Sequence, residues 1–260
     1  MQSLILSRKD FREYDQIISA YTVEQGKIQV LARGVKKITS KHGCHLEPVS
    51  FVDLTIVPGK ELSHLIKVQP IIFFQGIQAD MRKRVIAGYL VSLIDRVLED
   101  GQGDAGLFSF FREFFLFLNS APAVHPFLVD AFLMRFFDRL GFRQLLGACM
   151  HCGKDMHTMI QEHWKTPRDG IGFFSIREGG MVCPLCASKD EGMVMGLVPC
   201  DEKNVNTMLC MINGSWEMLA SWPLDDSERS KIQKIAHQFV EYHAERTIPD
   251  FSVVERVYEI

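Results

Sequence analysis

The sequence predicts an α+β protein: a small five-stranded β-barrel at the N-terminus, then an all-α helical domain carrying an inserted four-cysteine module. Three observations predict it. Residues 1–75 break into short β-branched and aromatic runs separated by turn residues. From residue 79 the apolar positions recur about every four residues, the spacing of a helix face. Two C-x-x-C knuckles, Cys149-Met150-His151-Cys152 and Cys183-Pro184-Leu185-Cys186, stand thirty residues apart.

The strands come first. Residues 3–7 are one apolar run and residues 15–22 a second, rich in Ile, Tyr and Thr. Gln25-Gly26 supplies a turn, and residues 27–32 continue as a third strand. Residues 46–57 form a longer run ending at Pro58-Gly59, and its alternation slips by one between Phe51 and Val52. Such a slip is what a β-bulge produces. Residues 62–68 are the fifth strand, ended by Pro70. Five short strands in this length suit an OB-fold, with an SH3-like barrel as the alternative.

The loop after the third strand holds Arg33, Lys36, Lys37 and Lys41 with no carboxylate among them. A glycine-containing basic loop on a barrel can follow a phosphate backbone. Arg8, Lys9 and Arg12 can add to that patch; the other reading is a solvated loop. Residues 1–80 sum to only +2 and the remainder to −5, so bulk charge by itself names no nucleic-acid partner.

The helical part follows in order. Met81, Val85, Tyr89, Leu93 and Val97 share one face of a helix that ends in residues 99–103. Residues 106–119 are a second helix, apolar on nearly every face, and residues 126–146 a third. Eleven of the nineteen phenylalanines lie between Phe108 and Phe142, a density that calls for a buried core. Residues 203–213 read as a short helix. Asp225 with Glu228 fits a capping box at the head of a last long helix, which Pro249 closes.

Cys149, Cys152, Cys183 and Cys186 read as the ligands of a closed, structural Zn2+ site. Two intervening residues let one tight turn aim both sulfurs at a point, and a second turn completes a tetrahedron. Gly153 stands where such a turn needs positive φ. Four thiolates leave no open position for catalysis, and Val182 stands where a zinc deaminase has proline. His151, His157 and His163 are spare neighbours and not ligands. The reduced cysteines and the lack of a signal-like N-terminus or an apolar span place the chain in the cytoplasm, with no membrane contact. No nucleophile elbow or paired-carboxylate spacing argues for an enzyme. Residues 101–106 match G-x-G-x-x-G as a string but follow a helix, which is the wrong context.

Taken together, these parts resemble the bacterial RecO family of recombination and DNA-repair mediators over essentially the full length. Tyr14-Asp15, Thr22 and Gly26-Lys27 carry the resemblance first, then Ala32-Arg33-Gly34-Val35-Lys36-Lys37 and Ser40. Gly106-Leu107-Phe108, Phe132, Leu140-Gly141-Phe142, Leu145-Leu146, the four cysteines, Phe173, Ser175 and Gly179-Gly180 complete it. The resemblance implies an OB-fold over residues 1–78 and a helical domain over 79–260, with a zinc-finger insert at about 147–190. It implies a RecF-pathway mediator that binds single- and double-stranded DNA, anneals complementary strands and helps load RecA onto single strands coated by their binding protein. RecR and the acidic, Phe-ended tail of that single-stranded DNA-binding protein are the implied partners, and the nucleoid the implied place. Arg33, Lys36, Lys37, Lys41 and Arg8 become the expected DNA contacts. Arg112, Arg135, Arg139 and Arg143 become candidates for the lip of the tail's groove. One departure from the family pattern is Ile38-Thr39, which stand where more basic residues are usual. A competing expectation is an adaptor whose barrel binds peptides and not DNA.

Overall fold

The structure, a computed structural model, describes residues 1–257 except 39, 41, 102, 164–170, 190–195 and 224, and all described side chains but those of 162 and 163. Two compact units emerge: residues 1–126 with the segment from Arg246 onward, and Phe127–Glu245.

In the first unit, β1 (Gln2–Asp10), β2 (Gln16–Thr22), β3 (Gly26–Ala32), β4 (Phe51–Val57) and β5 (Ser63–Ile72) close a barrel in the order β1-β2-β3-β5-β4. Every pair is antiparallel except β3 with β5. This is the five-stranded closed arrangement expected of an OB-type fold. Period-two alternation sends Ile18, Ala20, Val30, Ala32, Val52, Leu54 and Val68 inward to one core. Gly26 takes φ 67°, as its turn requires.

The bulge expected within residues 46–57 lies on the partner strand: Phe51 pairs with Ile72 but Val52 with Pro70, so the extra residue is on β5, while β4 alternates regularly, with Val52 and Leu54 in the barrel core and Phe51 against Phe74 and Phe108. Two strand limits differ from the sequence reading. Residues 46–50 are not strand, because the chain passes through a 3-10 turn at Gly43–His45 and Val49 takes φ 74°. A β-branched residue there interrupts any extended run. At the other end, β5 continues through Pro70 to Ile72. Proline is tolerated beside the bulge, on a length of β5 that β3 does not reach, since β3 pairs only with Ser63 and His64.

Beyond the barrel come α1 (Gln75–Ala79), α2 (Met81–Val97) and α3 (Ala105–Ser120). Asp80 and Asp104 cap α2 and α3 by accepting from amides of the first turn. The compact unit runs on past residue 78, because Phe51 on β4 packs edge-on against Phe74 and Phe108, each at 5.6 Å, and Tyr21 against Phe111 at 5.4 Å. A polar clamp lies alongside. The Asp95 carboxylate on α2 accepts from Ser7 Oγ at 2.7 Å and Ser19 Oγ at 2.6 Å, and faces Lys27 Nζ at 3.3 Å. Lys27 is buried and also donates to the carbonyls of Asp95 and Leu98.

The second unit holds α4 (Phe127–Arg139), α5 (Met156–His163), β6 (Gly172–Ser175), β7 (Gly180–Val182), α6 (Pro184–Ala187), β8 (Leu197–Cys200), α7 (Glu202–Asn213), α8 (Trp216–Ala220) and α9 (Asp226–His243). The strands form one sheet, β7-β6-β8. Helix α4 is buried throughout from Phe127 to Phe137. It stops at Arg139 and not near 146, because Gly141 adopts φ 98° and the Phe142 amide reaches back to the Phe137 carbonyl at 3.0 Å, a Schellman ending. The capping box expected at Asp225 is only half made. Asp225 accepts from the Glu228 amide, but the Glu228 carboxylate turns to Thr207 and Lys203. A reciprocal box forms instead at Asp201 and Asn204.

The chain then returns to the first unit, where α10 (Ser252–Arg256) buries Val254 and Phe251 meets Tyr89 at 5.4 Å. Among the described residues no helix is long and apolar enough to cross a membrane.

Candidate nucleic-acid interface and metal centre

The exposed rim of the barrel is built from two loops. The β1–β2 turn runs Phe11-Arg12-Glu13-Tyr14, and the Phe11 amide donates to the Asp15 carbonyl at 3.1 Å. The basic loop follows β3. Two hydrogen bonds tie them together: Gly34 N–H to Asp15 Oδ1 at 2.8 Å and Lys36 N–H to Tyr14 O at 3.1 Å. Gly34 makes the bend at φ 65°, while Val35 drops its side chain into the barrel core. The loop is therefore anchored by one apolar residue and presents its cations outward. Between the two loops lies a shallow depression of about 440 Å³ lined by Arg12, Glu13, Tyr14, Asp15, Arg33, Gly34 and Lys37.

The expected contacts fare differently. Arg33 and Lys37 are exposed and make no ion pair among the described residues. Lys37 Nζ instead stands over the Tyr14 ring at 5.6 Å. Lys36 is exposed but paired with Asp10 at 2.6 Å, and this ammonium and the Gln16 amide hold the Asp10 carboxyl below its usual range. Arg8 is likewise engaged, with Glu47 at 2.5 Å. Lys41 lies outside the described residues. Exposed pairs such as these are worth little and open readily to a phosphate. Arg12 joins the rim, standing over the Phe11 ring at 5.1 Å.

The four cysteines form the second site. Their Sγ atoms all lie within 4.8 Å of one another, and Cys152 Sγ is 3.8 Å from Cys183 Sγ. A tetrahedral thiolate site with bonds near 2.3 Å has edges of about 3.8 Å, so the cluster could hold a metal ion. Each knuckle has a local cause. Gly153 at φ 72° lets its amide turn back to the Cys149 carbonyl at 2.9 Å. Cys183 caps α6, with Pro184 preset in its first turn, so Cys186 swings back toward Cys183. Strand β7 delivers Cys183, and Gly180 on it has no room for a Cβ beside the Met150 side chain. Burial pushes the Cys149 thiol up, but amides of Cys183, Cys152 and His151 outweigh it and bring it to about 6. Burial and the three neighbouring thiols push Cys186 up to about 12. Four sulfurs this close cannot share four negative charges unaided, and a divalent cation removes that conflict. The neighbouring histidines face elsewhere: His151 to Glu178 at 3.0 Å and His157 to Gln161 at 2.8 Å. The His163 side chain lies outside the described residues.

Of the arginines suggested for a peptide groove, Arg135 is buried and occupied, donating to the carbonyls of Met211 and Gly214 with its guanidinium over Trp216 at 4.0 Å. Arg139 is exposed and bonds the Arg135 carbonyl at 3.3 Å, and Arg112 is exposed on α3. Arg143 and Asp138 border a depression of about 530 Å³ with Leu145, Leu146, Leu209 and Ile212.

The family model for the recombination protein O N-terminal domain matches residues 1–74, and that for its C-terminal domain matches residues 78–250. The chain belongs to the RecO family. Curated relatives named DNA repair protein RecO agree along the length. That of Syntrophomonas wolfei is 26% identical over 193 residues, covering 74% of this chain and 72% of the relative. The Bacillus subtilis protein is 29% identical over 191 residues, 73% and 69% of the two chains. The Desulforamulus reducens protein is 22% identical over 268 residues, 100% and 94%. The RecO resemblance drew attention to Tyr14 but not to Phe11. A signal was available: two aromatics fall between the first and second expected strands, where Gly, Asn or Asp are the residues that turn geometry favours.

Proposed function

We propose that this chain is a RecF-pathway recombination mediator and not an enzyme. It holds single- and double-stranded DNA on the rim formed by Arg33, Lys36, Lys37 and Arg8, with Arg12 beside them, and Lys41 is a further contact expected from the sequence. It anneals complementary strands there and helps load RecA onto protein-coated single strands. RecR and the tail of the single-stranded DNA-binding protein are its partners, a structural Zn2+ occupies the four cysteines, and it works in the cytoplasm at the nucleoid. The observation that carries this reading is the pinned pair of loops, whose cations face solvent while Val35 and Asp15 fix the backbone behind them. Annealing needs phosphate neutralisation and strand juxtaposition, which such a rim supplies without bond chemistry.

The test is the salt dependence of oligonucleotide binding. Replacing Arg33, Lys36 and Lys37 together by Ala should lower the slope of log affinity against log salt by roughly two to three units and slow strand annealing. An unchanged slope removes the loop from the DNA site.

The acidic tail is proposed to dock at the Arg143 depression, where Leu145 is 49% exposed and so free to take an apolar end residue. Arg143→Glu should weaken a labelled acidic, Phe-ended peptide at least about ten-fold, the scale of losing one charge-assisted contact. Equal affinity in the variant places the tail elsewhere.

A peptide-binding adaptor is the second reading, favoured by exposed apolar residues on and just after β5: Ile66, Ile71 and Phe73, the last 77% exposed. Complete failure to bind polynucleotide in dilute buffer would favour it.

A further inference from the structure

Two aromatic rings on the barrel rim have no part in its core. Phe11 is 47% exposed and Tyr14 45%, whereas the barrel interior is filled from the strands by Ile5, Ile18, Ala20 and Val30. About half of each ring stays in solvent and neither joins the barrel core, so both present a face to a ligand. Each carries a cation over it: Arg12 over Phe11 at 5.1 Å and Lys37 over Tyr14 at 5.6 Å. The hydrogen bonds from Gly34 to Asp15 and from Lys36 to Tyr14 hold the rings beside the basic loop and not merely near it in sequence. At the end of that loop Ile38 is also wholly exposed.

We infer that Phe11 and Tyr14 are base-stacking residues that make this rim prefer unpaired strands, and that Arg12 and Lys37 move from ring to phosphate as a base arrives. The inference rests on the nucleic-acid reading of the rim and adds what distinguishes one strand form from the other. Phosphates are common to single strands and duplexes, so the cations attract both. An open base face belongs to the unpaired strand alone, because a duplex keeps its bases stacked. Stacking on an aromatic ring tolerates any base, as a mediator acting on arbitrary sequence requires. The cation over each ring keeps an exposed apolar face covered in the free protein. When a base takes that face, the displaced ammonium or guanidinium has a phosphate within the same nucleotide to meet.

The experiment compares the full-length protein with Phe11→Leu/Tyr14→Leu, which keeps apolar bulk and removes both π faces. The probes are a fluorescein-labelled oligothymidylate and a mixed-sequence duplex of equal length. Single-strand affinity should fall by roughly five- to one-hundred-fold per ring, with the salt slope unchanged and duplex affinity altered by less than about two-fold. A parallel fall for single strand and duplex overturns the inference. So does unchanged single-strand affinity in the leucine variant while the Arg33, Lys36 and Lys37 triple variant still weakens it. If the triple variant also binds both probes as tightly as the native chain, the nucleic-acid reading of the rim itself fails and this inference falls with it.

Discussion

Replacing Cys149 by serine is expected to release the metal and melt the region of residues 149–188, leaving the barrel folded. The sulfur cluster sits in a small core: Cys149, Met159, Val182, Cys183 and Ala187 are its buried members. Five residues bury too little apolar surface to offset the ordering of such a segment. A bound metal would supply the rest, on the order of 10 kcal/mol for a structural zinc site, and a serine hydroxyl does not replace a thiolate. Elemental analysis should show metal lost from the variant, and limited proteolysis should cut inside the module. The Cys149 sulfur also accepts from the Cys183 amide at 3.3 Å, so the second knuckle loses its reference point too. A variant that keeps its metal and its protease resistance would show that the sulfurs are only neighbours.

Asp95→Ala should destabilise the barrel unit by about 3–5 kcal/mol, the range for removing one member of a buried, bonded charge pair. The Ser7 and Ser19 hydroxyls lose their acceptor, and Lys27, with its side chain 9% exposed, loses its counter-charge. For a unit of this size that is a fall of roughly 10–20 °C in Tm, measured by scanning calorimetry. Lys27→Met should also destabilise, since it leaves Asp95 without its counter-charge and the carbonyls of Asp95 and Leu98 without their donor. No loss in either variant would mean that the clamp is incidental.

Much of this was legible in the sequence, and for local reasons. Gly26, Gly34 and Gly153 each stand where the backbone must take positive φ, and each does, at 67°, 65° and 72°. The bulge was expected on the wrong strand, because Phe51, which looks like a parity defect in β4, is covered by Phe74 and Phe108 and not by the barrel core. The knuckles are legible because two residues of spacing fix where two sulfurs point. Other features depended on residues far apart in the chain. Whether an expected DNA-contacting cation is free depends on what faces it: Asp10, 26 residues away, takes Lys36 of the basic loop, and Glu47 takes Arg8 of β1. Arg135 read as a surface candidate, yet carbonyls of Met211 and Gly214 claim it in the interior. Phe11 passed unnoticed because its exposure is a property of the closed barrel and not of its own neighbours.

By itself the sequence determined the order of parts, the turns, the phase of the strands and the four clustered cysteines. Those follow from steric limits and periodicities that act over a few residues. Only the tertiary structure decided which charges are spent, which rings face solvent and where strands and helices stop. Those depend on long-range burial and pairing, which no short window of the chain contains.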